Sequence, residues 1–245
     1  MFRSFQCILT VAALSFVCSV PLAEADVIFS DNFESGVVGN LPAENEPAVG
    51  TWSYISESGD GTLRIDDDVV YQGVKSLYMT RPGDDGRGAL TGTGVAANSE
   101  DGALLTLTLA FRLDGGTGEV SVYAQNAGTD LAQIGLFGDG TVGVVGTGWH
   151  WLAQTSTPNA WNTLVVTHQN GTTAWSVSTN GSAFETVTAS PTTSNWDNLH
   201  FQFDIGGAYA HLDAISLSAV PEPSTFVLAV AGLIGLLAYA WRKRR

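Results

Sequence analysis

The chain has 245 residues, with 10 cationic and 24 acidic side chains, a formal net charge of −14 and a mean hydropathy of +0.14. With 44% hydrophobic and only 14% charged residues, it is too apolar and too sparsely charged to be disordered. Its acidity excludes a nucleic-acid binder, which needs a basic stripe to meet phosphates.

The first 25 residues have the layout of a signal peptide. Arg3 supplies the positive start, residues 8–20 are apolar, and Ala23-Glu24-Ala25 is an A-x-A cleavage pattern. Cleavage by signal peptidase after Ala25 makes Asp26 the mature N-terminus. Cys18 opens the alternative of an acylated lipoprotein, but lipobox cysteines follow a small residue, and Val17 is not one. Cys7 and Cys18, the two cysteines of the chain, both lie in this segment, so the mature domain has neither disulfide nor cysteine metal site. Its stability rests on burial, for which about 195 residues suffice.

Residues 26–219 form the expected domain. From residue 26 to 220 there are five cations (Arg64, Lys75, Arg81, Arg87, Arg112) against 22 acids, a formal charge of −17. Such a surface suits solubility, divalent cations and neutral glycans. Alternation of apolar and polar residues predicts strands along the segment. It runs through Leu105-Thr106-Leu107-Thr108-Leu109 to Phe111 and Leu113, and recurs in Val120-Ser121-Val122-Tyr123. Leu164, Val166 and His168 share one face of the next run, followed by Trp175-Ser176-Val177-Ser178. The series closes with Leu199, Phe201, Phe203 and Ile205, and with a last strand from Ala210 to Ser218. Asp139-Gly140, Asn170-Gly171 and Asn180-Gly181 supply the tight turns between runs. About a dozen short strands of this kind predict an all-β sandwich or barrel.

The tail at residues 220–245 has three parts. Pro221, Glu222 and Pro223 with Ser224 form a turn; residues 226–241 carry no charge; and Arg242, Lys243, Arg244 and Arg245 end the chain. Sixteen helical residues span roughly 24 Å, against a hydrocarbon core of about 30 Å, which makes a short transmembrane helix. The four cations stop transfer and stay in the cytoplasm, leaving the preceding domain outside the inner membrane.

In that order, the three parts resemble the PEP-CTERM sorting tail of Gram-negative bacteria. The resemblance implies exosortase as processing partner, export alongside extracellular polysaccharide, and a final place at the cell surface or in the biofilm matrix. The alternative is a plain single-span anchor in the inner membrane with an ordinary linker.

Several phrases of the domain resemble the concanavalin A-like, laminin-G-type jelly roll. Asp31-Asn32-Phe33-Glu34-Ser35-Gly36 is similar to its opening strand, and Val70 to Tyr78 to its G-x-x-S-L strand. Ala160-Trp161-Asn162-Thr163-Leu164-Val165-Val166 is similar to its W-x-x-V strand, and Leu212 to Leu217 to its closing strand. The resemblance implies a jelly-roll sandwich, and leaves Glu34 and Asp213 either as ligands of a structural Ca²⁺ or as ordinary polar residues at strand ends. It leaves activity open, since the fold hosts lectins and glycan-active enzymes alike.

Catalytic signatures are missing from the sequence. Glycosidases set two carboxylates about 5 to 10 Å apart on one surface; Asp66-Asp67-Asp68 come nearest, and their place before Val69 suggests a solvated turn. There is no G-x-S-x-G or H-E-x-x-H, and His150, His168, His200 and His211 stand singly. Trp161 and Trp175 are expected in the core. Trp149-His150-Trp151 is different, because it puts two indoles on one face, either in the core or as a platform for sugar rings. The expectation is thus a non-enzymatic glycan-binding or structural module, with a glycan-active enzyme, glycosidase or lyase, as the alternative.

Overall fold

A computed structural model of the protein describes residues 25–43, 46–58, 61–81, 87–93, 102–114, 118–126, 129–146, 148–188, 195–196, 198–205, 208–220 and 225–243. Residues 1–24 of the expected signal peptide, the motif residues Pro221, Glu222, Pro223 and Ser224, and Arg244 and Arg245 lie outside them. Among the described residues there are fifteen strands and one helix. The first five strands are β1 (Asp26–Asp31), β2 (Thr51–Ser58), β3 (Thr62–Asp66), β4 (Ser76–Arg81) and β5 (Arg87–Thr93). The next five are β6 (Leu104–Asp114), β7 (Glu119–Asn126), β8 (Thr129–Phe137), β9 (Val142–Val145) and β10 (Trp149–Trp151). The last are β11 (Asn162–Gln169), β12 (Ala174–Thr179), β13 (Glu185–Thr188), β14 (Asn198–Ile205) and β15 (Ala208–Val220).

The strands make two sheets. One runs β13-β12-β11-β6-β15-β4-β3, with β1 also on β15; the other runs β10-β9-β8-β7-β14-β5-β2. Every register given is antiparallel, with distant strands adjacent in each sheet, as expected of a jelly-roll sandwich. Between the sheets lies one core. Leu105, Leu107, Leu109, Phe111 and Leu113 of β6 enter it together with Leu164, Val166 and Trp175. The facing sheet supplies Val120, Val122, Ile134, Leu136, Leu199 and Phe201. The period-2 alternation read from the sequence is what sorts these side chains inward. Asn180 (φ 53°) and Gly181 (φ 70°) take the left-handed turn expected of an Asn-Gly pair after β12.

Three boundaries differ from expectation. The opening strand stops at Asp31, because Phe33 has φ 58° and its N–H is taken by Asp31 Oδ1 at 2.7 Å, so residues 33–36 turn. The Val70–Tyr78 phrase is mostly loop, with β4 beginning only at Ser76. Trp161 is half-buried outside the core, packed on Tyr71 and His211 with ring centroids 5.5 and 6.3 Å away. Trp175 is a core residue, as expected.

The long last strand holds the first and the fourth end to end. Ala208 to Leu212 pair with β4, and Ile215 to Ala219 pair with β1, Ala219 lying opposite Asp26. Between the two ladders, Ala214 adopts φ 49°.

The tail is a separate unit with one helix, α1 (Thr225–Lys243). It covers the helix expected over 226–241 and carries Arg242 and Lys243 in its last turn. Its 19 residues give about 28 Å of rise. Among the described residues, no helix is long and apolar enough to cross a membrane.

Candidate functional site: an aromatic ledge on the seven-stranded sheet

On the outer face of the seven-stranded sheet, β10 carries Trp149 and Trp151 at the sheet edge. Register places Trp151 opposite Gly143 of β9 and Gly143 opposite Gly135 of β8. These two glycines are the reason the indoles can sit where they do. A Cβ on Gly135 would lie 2.6 Å from the Trp149 ring, and one on Gly143 would lie 2.8 Å from it and 3.1 Å from that of Trp151. A strand-interior glycine commonly marks such a close approach. The indoles stack on each other, centroids 5.1 Å apart and planes 6° from parallel. Phe137 meets both edge-on at 5.4 and 5.3 Å. Even so, Trp149 is 40% and Trp151 57% exposed. Both indoles therefore lie outside the core, on the outer face of the sheet.

Beside the ledge the same face is polar. Glu119 Oε1 accepts from Ser121 Oγ (2.8 Å) and Gln133 Nε2 (3.1 Å), while Gln133 Nε2 also donates to Ser121 Oγ (2.8 Å). Tyr123 of β7 lies opposite His200 of β14, rings 5.5 Å apart, and His200 Nε2 is 3.3 Å from Gln202 Oε1. Amide, hydroxyl and imidazole groups next to stacked indoles are the functional groups that hold sugar hydroxyls and sugar ring faces. Sequence reading missed this row, because its members come from strands far apart in the chain. The strand glycines Gly135 and Gly143 were the available signal.

The loop that leaves β10 is bolted to the other sheet. Glu185 of β13 accepts from Ala153 N (3.0 Å) and Gln154 N (2.9 Å); Gln154 Nε2 donates to Val177 O (2.7 Å) and its Oε1 accepts from Ser182 Oγ (2.6 Å). The edge strand bearing the tryptophans is therefore held at its downstream end.

Glu34 and Asp213, the residues expected at a Ca²⁺ site, clasp the loop before β4 from two sides. Asp213 Oδ2 accepts from Tyr71 N (3.2 Å) and Gln72 N (2.9 Å), and its Oδ1 from Ala214 N (2.6 Å). Glu34 Oε1 accepts from Val74 N (2.8 Å) and Lys75 N (3.0 Å), directly under Gly73, whose φ of 76° suits glycine. Lys75 Nζ returns to the Glu34 and Gly36 carbonyls at 2.7 and 2.8 Å. Burial holds the Asp213 carboxyl above its ordinary pKa, against the backbone donors that lower it. Among the described residues no three acidic or histidine side chains converge as metal ligands. The clasp fastens this loop to β15 and to the turn after β1.

Asp66 ends β3 and is buried, whereas Asp67 and Asp68 are exposed in the following turn. Asp66 Oδ2 lies 3.9 Å and Ser76 Oγ 3.5 Å from the same nitrogen of His211, Nδ1. A serine–histidine–carboxylate relay needs them on opposite nitrogens. Burial lowers the His211 pKa, outweighing the pull of Asp66. The unfolded chain then binds a proton near pH 6.5 that the folded chain refuses, so this stability is lost as pH falls from that value toward the folded pKa. Asp31, Asp213 and Glu46, all raised by burial, act with the opposite sign toward the carboxylate range. His211→Gln should therefore flatten the fall of the melting midpoint between about pH 7 and pH 5. Parallel wild-type and variant curves in circular-dichroism melts would refute this.

Residues 219–245 match the family model of the PEP-CTERM protein-sorting motif, so the chain carries that motif at its C-terminus. No curated protein matches the chain. Among solved structures it is similar to the carbohydrate esterase vb_24B_21 from the Shiga toxin-encoding bacteriophage phi24B. That match has a TM-score of 0.56 and 17% identity, over 81% of this chain and 100% of that one. It is also similar to botulinum neurotoxin type C, whose cell entry depends on interaction with two ganglioside molecules. There the TM-score is 0.52 and the identity 11%, over 80% of this chain and 48% of that one. An endo-β-1,4-glucuronan lyase from the fungus Trichoderma reesei matches with TM-score 0.49 and 16% identity, over 74% and 95%. At these identities the likeness is one of fold.

Proposed function

We propose that this chain, which ends in a PEP-CTERM protein-sorting motif, is an exported, exosortase-sorted protein of the cell surface or extracellular matrix, and that its sandwich is a non-catalytic glycan-binding module. The observation that carries the glycan reading is the exposed Trp149–Trp151 stack seated over Gly143 and Gly135. Fold relatives include a carbohydrate esterase and a toxin that engages gangliosides, in keeping with a sandwich used on glycans. In this reading α1 is a short hold in the inner membrane, its cations in the cytoplasm and the sandwich outside, kept until the tail is processed. Signal peptidase acts at the other end, after Ala25.

Two experiments test the two halves. On a glycan array, Trp149→Ala and Trp151→Ala should each weaken binding about tenfold; the melting midpoint should stay nearer that of the wild type for Trp151, 57% exposed, than for Trp149, 40% exposed. Absence of wild-type binding to any glycan would refute the module. Expressed with and without an exosortase, the protein should lose its tail only in the first host, as read by intact mass. A tail retained in both refutes the sorting.

A glycan-active enzyme is the second reading, favoured by Tyr123, His200 and Gln202 grouped on the ledge's face. Among the described side chains, two acids of this face stand far apart: Glu119 lies opposite Phe137 at one end of β7, and Asp130 opposite Gln125 near the other. That separation is six residues, or about 20 Å. Release of reducing ends or unsaturated products from polysaccharide would establish the second reading and remove the first.

A further inference from the structure

The outer face of the eight-stranded sheet carries a second aromatic platform with a different charge. Arg64 of β3 lies opposite Tyr78 of β4, and its guanidinium carbon stands 4.5 Å over the Tyr78 ring. Tyr209 of β15 stacks on Tyr78 from the other side of the strand, centroids 6.0 Å apart and planes 22° from parallel. Tyr209 is 52% exposed.

In a domain with 22 acids and five cations, every cation has acids to choose from. Among the described residues, Lys75 gives its ammonium to two carbonyls and Arg112 pairs with Asp114 at 2.7 Å. Arg64 forms no hydrogen bond or ion pair with a described residue; its contact is the one over the Tyr78 ring. Asp66, two residues along the same strand, directs its carboxylate to His211 instead. A guanidinium held over an aromatic ring, its N–H groups not spent on described residues, offers a donor fork that matches a planar anion.

We infer that the Arg64–Tyr78–Tyr209 platform binds a carboxylated sugar, a uronic acid residue of an acidic polysaccharide. The carboxylate takes the Arg64 fork in two parallel hydrogen bonds, and the sugar ring lies against Tyr209. Acids beyond about 8 Å do not forbid this, being screened at physiological ionic strength, and the nearer Asp66 has its carboxylate toward His211. Since the Trp149–Trp151 ledge lies on the outer face of the other sheet, the two platforms face opposite ways, and one molecule can join two chains. This second site does not depend on the ledge binding glycan.

The test uses the full chain in mild detergent, titrated with tetragalacturonate, its methyl ester and dextran sulfate. Tetragalacturonate should bind at least about tenfold more tightly than the uncharged ester. Arg64→Gln and Tyr209→Ala should each remove that preference, Arg64→Lys should lose most of it, and Trp151→Ala should leave it intact. Melts confirm folding of each variant. Equal binding of acid and ester, no binding of either, or binding unchanged in Arg64→Gln would overturn the inference. Loss on Trp151→Ala would overturn it too, by moving the site to the other sheet. Dextran sulfate bound as tightly, and indifferent to Tyr209→Ala, would overturn it by making Arg64 a generic counter-ion.

Discussion

Truncating Trp52 to alanine should lower the melting midpoint by about 15 °C, corresponding to about 5 kcal/mol at 2–4 °C per kcal/mol for a domain of this size. Trp52 has no exposed surface and is ringed by Phe29, Phe33 and Phe201 at 4.8, 6.3 and 6.3 Å. Removing a buried Trp costs about 3–5 kcal/mol in lost burial and residual cavity. A second cost falls on Asp31, which is 2% exposed and accepts from Trp52 Nε1 at 2.7 Å. Burial already holds Asp31 above its ordinary pKa, and losing the indole donor leaves its charge less satisfied still. Trp52→Phe separates the two effects. It keeps most of the packing and should cost about 2 kcal/mol at pH 7, shrinking as the pH falls through the raised Asp31 pKa and the carboxyl is protonated. A Trp52→Phe deficit of equal size at pH 7 and pH 4 would show that the hydrogen bond contributes nothing.

Asp213→Ala should cost about 3 kcal/mol, or about 9 °C, because three main-chain N–H groups lose a charged acceptor. The loss is smaller than the sum of three such bonds, since removing the carboxylate also relieves its desolvation. Asp213→Asn keeps one acceptor oxygen and should recover about half of the loss. If hydrogen bonds make the clasp, EDTA should leave the wild-type midpoint unchanged. A midpoint that drops in chelator and returns with Ca²⁺ would replace this account with a metal-bound one.

These two residues show what the sequence could and could not convey. Alternation along β6 and β11 placed Leu105 to Leu113 and Leu164 to His168 on core faces without any knowledge of partners, because the pleat alone decides side. Glu34 and Asp213 were recognisable from local phrases, and both accept main-chain hydrogen bonds from the loop before β4. Asp31 gave no such signal, since its partner Trp52 is 21 positions away and neither residue is unusual by itself. The site was half legible. Trp149-x-Trp151 declared two indoles on one face, yet whether that face was wet depended on β10 being an edge strand. Tyr123, His200 and Gln133 meet only through strand order, which periodicity does not encode. The platform at Arg64 was invisible for the same reason, with Tyr78 and Tyr209 brought together by β15.

Asp26 opposite Ala219 puts the two ends of the sandwich at one corner of one sheet. While the tail holds the chain, as proposed above, this decides how the sandwich bears force. Load arriving through Val220 runs along β15, whose neighbours β6, β4 and β1 resist it in shear, with many ladder bonds strained together. Tension between the two ends themselves would instead peel β1 from β15 one pair at a time, starting at Asp26. The domain is thus mechanically stiff toward a load drawn against Val220 and weak toward its own two ends being drawn apart.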